Sequence, residues 1–375
     1  MADTRFDAII LGGGIIGCAL AEELARRGQR VQVLERGRVG AEASSAAAGI
    51  LAAQMDIPKA GPFFDFCQAA HRLYPQWIRR IERRSGLTVG FHVDSILYLA
   101  LTGPEDRQMA TQAKWQRARG LAVERWSAAQ VRRQEPAVDG RIRAGYVFPT
   151  EAQVDNLRLM AALSGACRAA GVGVREGVAV RRLIIRNRRI QQVVTNQGAF
   201  TAPVVINCLG SWANLGGQFP VRLPIEPARG QILVFQGPPG LYRRAIMSSR
   251  AYLVQRRDGR VITGSTIERA GFQKALTVDG MHSILSGARQ LSRAVGQCPF
   301  VEAWAGFRPL TTPDQLPILG PTTVEGLYVA TGHFRHGILL APITATTMSN
   351  VILTGRSPID LTPFSPARFQ PILST

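Results

Sequence analysis

Apolar and polar positions switch period early in the chain. Phe6-Asp-Ala-Ile-Ile-Leu11 is an almost continuous apolar run, the pattern of a strand buried on both faces. From residue 15 to 27 the period becomes helical, with Ile16, Leu20 and Leu24 on one side. Glu22/Arg26 and Glu23/Arg27 form i,i+4 pairs on the other side, and Gly28 stands at the capping position. Val31 to Glu35 reads as a second strand, so the chain opens on a compact βαβ unit. Further helices are predicted over 63–85, through Phe63-Phe64, Leu73, Trp77 and Ile81, over 104–120, and over 155–170, where Gly171 ends the run. Strands are predicted over 90–101, 172–185, 190–200 and 203–210. From Pro220 to about residue 300 the texture is strands with turn signals, among them Gly237-Pro-Pro-Gly240 and Asp258-Gly259. A strand at 326–331, a loop at 332–337 and a helix from Ile338 to about Leu353 return to the opening style.

Alternating helix and strand at both ends around a β-rich middle predicts an α/β fold with a Rossmann-type βαβ domain, discontinuous in sequence, and a second, β-rich α+β domain. No Gly/Ser or Pro-rich linker divides the 375 residues, and a single core stops growing at about 250 to 300 residues, so two interleaved domains are expected. The boundaries read as 1–88, 147–219 and 302–375 for the dinucleotide domain, and 89–146 with 220–301 for the substrate domain.

Composition narrows the classes. Hydrophobic residues make up 46% of the chain, and no continuous apolar stretch reaches the roughly 18 residues of a membrane span. Met1 to Asp7 lead straight into the first strand, leaving no room for a charged segment, an apolar segment and a cleavage site, so a cytoplasmic protein is expected. Cys18, Cys67, Cys167, Cys208 and Cys298 are scattered without C-x-x-C spacing and read as buried thiols, with neither a metal site nor a disulfide framework. The net charge of +19 would draw the chain to polyanions. Lysine, however, occurs only at Lys59, Lys114 and Lys274, and the arginines are dispersed in pairs such as Arg79-Arg80 and Arg188-Arg189. The charge therefore reads as solvated surface. Nucleic acid is not expected as a partner, peripheral contact with an anionic membrane stays open, and a homo-oligomer is expected.

Gly12-Gly13-Gly14-Ile15-Ile16-Gly17 satisfies G-x-G-x-x-G between a strand and a helix. Gly12 permits the tight turn, Gly14 lets the backbone approach a pyrophosphate, and Gly17 lets helix and strand pack closely. The N–H groups at Ile15 and Ile16 open the helix toward the phosphates. Glu35, 18 residues beyond Gly17, is placed to accept hydrogen bonds from ribose hydroxyls. This unit alone fits NAD or FAD. Arg36 and the run Ser44-Ser45-Ala46-Ala47-Ala48-Gly49 favour FAD, since small residues let a backbone lie against a flat ring and hydroxyls reach phosphates. A second G-x-G-x-x-G after a later strand is lacking, so a built-in NAD(P)H domain is not expected. Gly332-His333-Phe334-Arg335-His336-Gly337-Ile338 leads into a helix whose first N–H groups can stabilise the anion that develops near N1 and C2=O of a reduced flavin.

Ile10 to Gly17, Ala46 to Leu51, Phe63 to Cys67 with Leu73-Tyr74-Pro75, Asn207 to Trp212, Ala305 to Pro309, Pro317 to Gly320 and Gly332 to Pro342 together resemble the D-amino-acid oxidase superfamily, most closely its glycine oxidase branch serving thiamine biosynthesis. The resemblance implies Arg308 as the partner of a substrate carboxylate, Tyr252 as a second contact to it, Arg335 beside flavin and substrate, and Ile50 near the ring. Val178, Gly210 and Trp212 join the expected cofactor contacts. It further implies oxidative deamination of glycine or another small amine, with hydride passing from Cα to flavin N5 and an imino acid and hydrogen peroxide formed. Such chemistry needs no general base, and His333 and His336 are read as structural. An acceptor-linked amino-acid dehydrogenase, an oxidoreductase acting on a modified tRNA base and a non-catalytic flavin subunit are the rival readings. The chain departs from the family at Arg250, where histidine is usual, and at Ile267, where methionine is usual. Arg250 is expected to face solvent or to join a loop ion pair.

Overall fold

A computed structural model describes residues 6–312 and 314–369. Residues 1–5, on which the reading of the N-terminal start partly rests, lie outside the described residues. The first strand, Ala8–Leu11, pairs in parallel with Val31–Leu34 on one side and Val204–Asn207 on the other. Gly173–Arg175 and Leu327–Thr331 extend the sheet in parallel at either side, and Ile318–Pro321 closes one edge antiparallel, making six strands. The four residues of the first strand are all buried, as a strand covered on both faces must be. Helices Ile15–Arg26, Pro62–Ser85, Asn156–Ala169 and Gly337–Thr354 pack together over this sheet, around a core that includes Ile10, Leu20, Tyr74, Trp77 and Leu163. Each fully buried large apolar side chain contributes roughly 1.5–3 kcal/mol.

The eight-stranded sheet runs in the order Phe300–Thr311, Ile225–Gln236, Arg260–Gly264, Tyr252–Gln255, Ala245–Met247, Ile96–Ala100, Ala144–Phe148, Glu124–Ser127. Its two longest strands pair antiparallel from Ile225/Thr311 to Phe235/Phe300. The expected boundaries at 146/147 and 301/302 both fall inside strands of this sheet. The reason is that a ladder continues until its pairing partner ends, which local composition does not reveal. A three-stranded antiparallel unit, Val180–Arg186, Arg189–Thr195 and Gly198–Phe200, leads into the Val204 strand.

Two helices lie where none was expected. Val278–Leu291 starts at Thr277, whose side chain accepts from Gly280 N, and Ala128–Gln134 starts at a capping box made by Ser127 and Gln130. The helix Gly337–Thr354 is long and apolar enough to cross a membrane by length and composition. Thr344, Thr347 and Ser349 interrupt the apolar run, which is why no continuous stretch stood out, and all three are buried.

Candidate functional site

The first strand of the six-stranded sheet and the paired long strands of the other sheet open onto one cavity of about 640 Å³. At one end, Gly12 has φ +100 and its Cβ, were there one, would stand 2.6 Å from the Cys208 carbonyl oxygen. A Cβ on Gly17 would stand 2.0 Å from the Gly12 carbonyl oxygen, so Gly17 sets the approach of helix to strand from behind the cavity wall. Helix Ile15–Arg26 has no side-chain cap from Gly14 and no acid in its first turn. Ser44 Oγ accepts from Ile15 N at 2.9 Å and brings the 44–49 loop over the helix start. The carboxylate of Glu35 accepts from Gly13 N and Gly37 N, each at 2.8 Å. Arg36 lies 3.7 Å over the Trp212 ring and pairs with Glu42 at 3.1 Å. A helix start with no acid in its first turn, a carboxylate after the second strand and a tight glycine turn suit a dinucleotide.

The loop of small residues is held by buried polar groups from three elements. Asn156 Nδ2 donates to the carbonyls of Ser44 and Ser45 at 2.9 Å, and Arg256 Nη2 donates to that of Ala48 at 2.7 Å. Val154 N donates to the Gly49 carbonyl at 2.9 Å, and a Cβ on Gly49 (φ +69) would stand 2.0 Å from Val154 O. Gly306, on the strand that carries Arg308, has room only for hydrogen, since its Cβ would meet Ala46 Cβ at 2.4 Å. Burial lowers the pKa of Arg256 to about 10, the cost of taking a guanidinium out of water to meet the Ala48 carbonyl and the amide oxygens of Gln153 and Asn156.

On the opposite wall, helix Gly337–Thr354 begins without a side-chain cap or an acid in its first turn. His333 is buried with Nε2 3.1 Å from Thr344 Oγ1, and burial drives its pKa down to about 3. It is a neutral, structural histidine. Arg335 pairs with Asp56 Oδ1 at 3.2 Å, and His336 Nε2 stands 3.1 Å from Asp56 Oδ2. Burial works against ionisation of Asp56, but His336 and Arg335 together hold its carboxyl below the usual range. The loop that presents Asp56 hangs from buried Glu151, which accepts from Gln54 N and Met55 N, while Gln112 Nε2 donates to the carbonyls of Gln54, Met55 and Ile57. Desolvation raises Glu151 to about 8, so this acid is largely protonated at neutral pH.

Arg308 and Tyr252 meet at the inner end. Arg308 donates to Thr266 O at 3.1 Å and Ser265 Oγ at 2.7 Å, and among the described residues no carboxylate lies within 4.0 Å of it. A Cβ on Gly230 would stand 2.1 Å from Arg308 Nη1, and a Cβ on Gly264 2.7 Å from the Tyr252 hydroxyl. Two strand glycines therefore make the room that these side chains occupy. Burial lowers the pKa of Arg308 and raises that of Tyr252 to about 12, so at neutral pH Tyr252 is a hydroxyl donor beside a guanidinium cation.

Of the residues singled out from sequence, the cavity brings together all but three. Gly17 packs behind the wall, Ser45 is turned so that its carbonyl meets Asn156, and Val178 is buried outside the lining with its N–H donating to Glu35 O at 2.8 Å. Arg250 is exposed, the first of the two placements expected for it. It lines the rim of the cavity, and no loop ion pair holds it among the described residues. The 248–251 turn folds back on itself through Ser248 N and Oγ, both donating to Ala251 O, and this places Arg250 at the cavity edge. Asp56, Glu151, Asn156, Gly230, Arg256 and Gly264 were not legible as site residues. The one available signal was glycine inside a strand, at 230 and 264, which marks close approach.

A family model described as FAD dependent oxidoreductase matches residues 7–350. The chain belongs to this family. It is an FAD-dependent oxidoreductase with the glycine oxidase fold: the crystal structure of glycine oxidase from Geobacillus kaustophilus superposes with a TM-score of 0.93 at 30% identity, covering 97% of this chain and 99% of that one. The glycine oxidase of that organism is 31% identical over 97% of this chain and 97% of its own length. The bifunctional protein ThiO/ThiG of a Synechocystis species is 35% identical over 98% of this chain but only 54% of its own length. The chain thus spans about half the length of the bifunctional relatives it matches.

Proposed function

We propose that this oxidoreductase deaminates glycine or another small amine or amino acid. The observation that carries the reading is Arg308: a half-buried guanidinium with no carboxylate partner among the described residues, beside the Tyr252 hydroxyl, in the same cavity as the dinucleotide cradle. A planar guanidinium and a phenol hydroxyl bind and orient an amino-acid carboxylate through charge-assisted hydrogen bonds. Gly12, Gly14, the first N–H groups of helix Ile15–Arg26, Glu35, Arg36 and Ser44 would hold the pyrophosphate and ribose side of FAD, and the 46–50 loop with the start of helix Gly337–Thr354 would hold its ring. Bound FAD supplies the two-electron acceptor for the Cα hydrogen as hydride, leaving an imino acid that water hydrolyses, with oxygen reduced to hydrogen peroxide.

The side chains orient and exclude. Arg308 and Tyr252 hold the carboxylate, and Ile50 and Met247 supply apolar wall, so that the substrate amine loses water on binding. Neutral His333 cannot take a proton at neutral pH because burial holds its pKa near 3, and no general base is needed for an amine bound as the free base. Likeness to the bifunctional ThiO/ThiG relatives supports a place in thiamine thiazole synthesis. The test is anaerobic addition of glycine, sarcosine and D-alanine to the holoenzyme, followed by air. Bleaching of the flavin by these amines and recovery in air with hydrogen peroxide formed is expected. A flavin that stays oxidised with every amine refutes the reading, and one that stays reduced in air assigns the electrons to another acceptor.

A further inference from the structure

We propose that the preferred substrate is an amino acid carrying a second anionic group, bound by Arg250 while Arg308 binds the first; this rests on the amine-oxidising reading above. Charges across the cavity are unevenly matched. Three acids line it, Glu35, Glu42 and Asp56. Glu35 is taken up by the N–H groups of Gly13 and Gly37, Glu42 by Arg36 and Lys274, and Asp56 by Arg335 and His336. None faces Arg308 or Arg250 within ion-pair distance among the described residues. Arg38, the other unpaired cation of the lining, belongs to the loop after Glu35 at the dinucleotide end. With Arg335 paired to Asp56, Arg308 and Arg250 are left as the two guanidinium cations of the substrate end without a carboxylate partner among the described residues. A monoanionic amino acid neutralises one of them.

Arg250 is held in place by its backbone. Arg250 N donates to Ser248 Oγ at 3.0 Å, Ser248 N and Oγ donate to Ala251 O at 3.0 and 2.9 Å, and Ser249 Oγ donates to Glu105 Oε1 at 2.5 Å. Helix Val278–Leu291 presses on the same turn, since a Cβ on Gly287 would stand 2.7 Å from Arg250 O. The turn joins strand Ala245–Met247 to strand Tyr252–Gln255, so Arg250 and the carboxylate contact Tyr252 are two residues apart on one rigid hairpin. A fixed backbone lowers the ordering cost of recruiting a long side chain to a ligand. The fork of a guanidinium at the rim then selects a carboxylate or similar oxyanion carried beyond the amine, as in N-carboxymethyl amines.

Matched pairs of compounds test this on the FAD-loaded protein. Calorimetry compares oxydiacetate with methoxyacetate, ethers that lack the amine and differ by the second carboxylate; anaerobic flavin reduction compares iminodiacetate with sarcosine. Wild type is expected to favour the dianion at least about tenfold in both measurements, the scale of one charge-assisted contact at a partly wet site. In Arg250→Ala that ratio collapses toward unity, and in Arg250→Lys part of it returns, with FAD content and melting temperature confirming that each variant is folded. Equal affinities in wild type, or a ratio that Arg250→Ala leaves unmoved, overturns the proposal. If sarcosine and glycine reduce the flavin while dianions have no advantage, amine oxidation stands and the two-anion reading falls. If no amine reduces the flavin, both fall.

Discussion

Replacing Glu151 by glutamine separates the charge of one buried acid from its hydrogen bonds. Glu151 is fully buried, accepts from Gln54 N and Met55 N, and has Oε2 without a partner. Glutamine keeps the accepting oxygen and puts an amide where the unpartnered Oε2 lies. Desolvation raises the folded pKa to about 8 from an ordinary 4.5, so the folded state holds its proton more tightly than the unfolded chain. The stability linked to that proton is present in full below the unfolded pKa and is lost as pH rises through the folded value. Between pH 6 and 8.5 wild type should lose about 2 to 3 kcal/mol that Glu151→Gln does not lose. At 375 residues this opens the difference in Tm between the two holoproteins by about 3 °C. Thermal melts of both across that range check it, because other titrating groups cancel in the difference. Parallel Tm curves would refute the reasoning, showing a carboxylate already ionised in the fold.

Other substitutions act more locally. Arg308→Ala should lower kcat/KM for amino-acid substrates by about 100-fold or more with FAD content unchanged, because two charge-assisted hydrogen bonds are lost; Arg308→Lys keeps the charge and should recover only part. Gly230→Ala places a methyl within 2.1 Å of the Arg308 guanidinium and should raise KM without releasing FAD, as read by steady-state kinetics and flavin absorbance. Gly17→Ala drives a methyl to 2.0 Å from the Gly12 carbonyl and should yield protein with weakened FAD binding, measured by fluorescence of released flavin. Retention of full FAD affinity in Gly17→Ala would mean that helix and strand can separate without disturbing the cradle.

What the sequence determined by itself is local. The βαβ opening, the helix entered after Gly332 and the long amphipathic helix over 62–85 follow from hydrophobic period, caps and glycine positions within a few turns of chain. The dinucleotide cradle is legible for the same reason, since Gly12, Gly14, Gly17 and Glu35 are placed by two paired strands, one turn and one helix. Tertiary structure decided the rest. The long pairing of Ile225–Gln236 with Phe300–Thr311 sets Gly230 beneath Arg308 across more than 70 residues, and it carries the second sheet past the boundary that composition suggested. Asp56 reaches Arg335 only because Glu151 and Gln112 hold its loop from distant elements. Arg250 has no pattern around it that marks it for the cavity. Its place there depends on a hairpin turn, Glu105 and a helix from three separate parts of the chain, and contacts between such parts are a property of the packed molecule that no local period encodes.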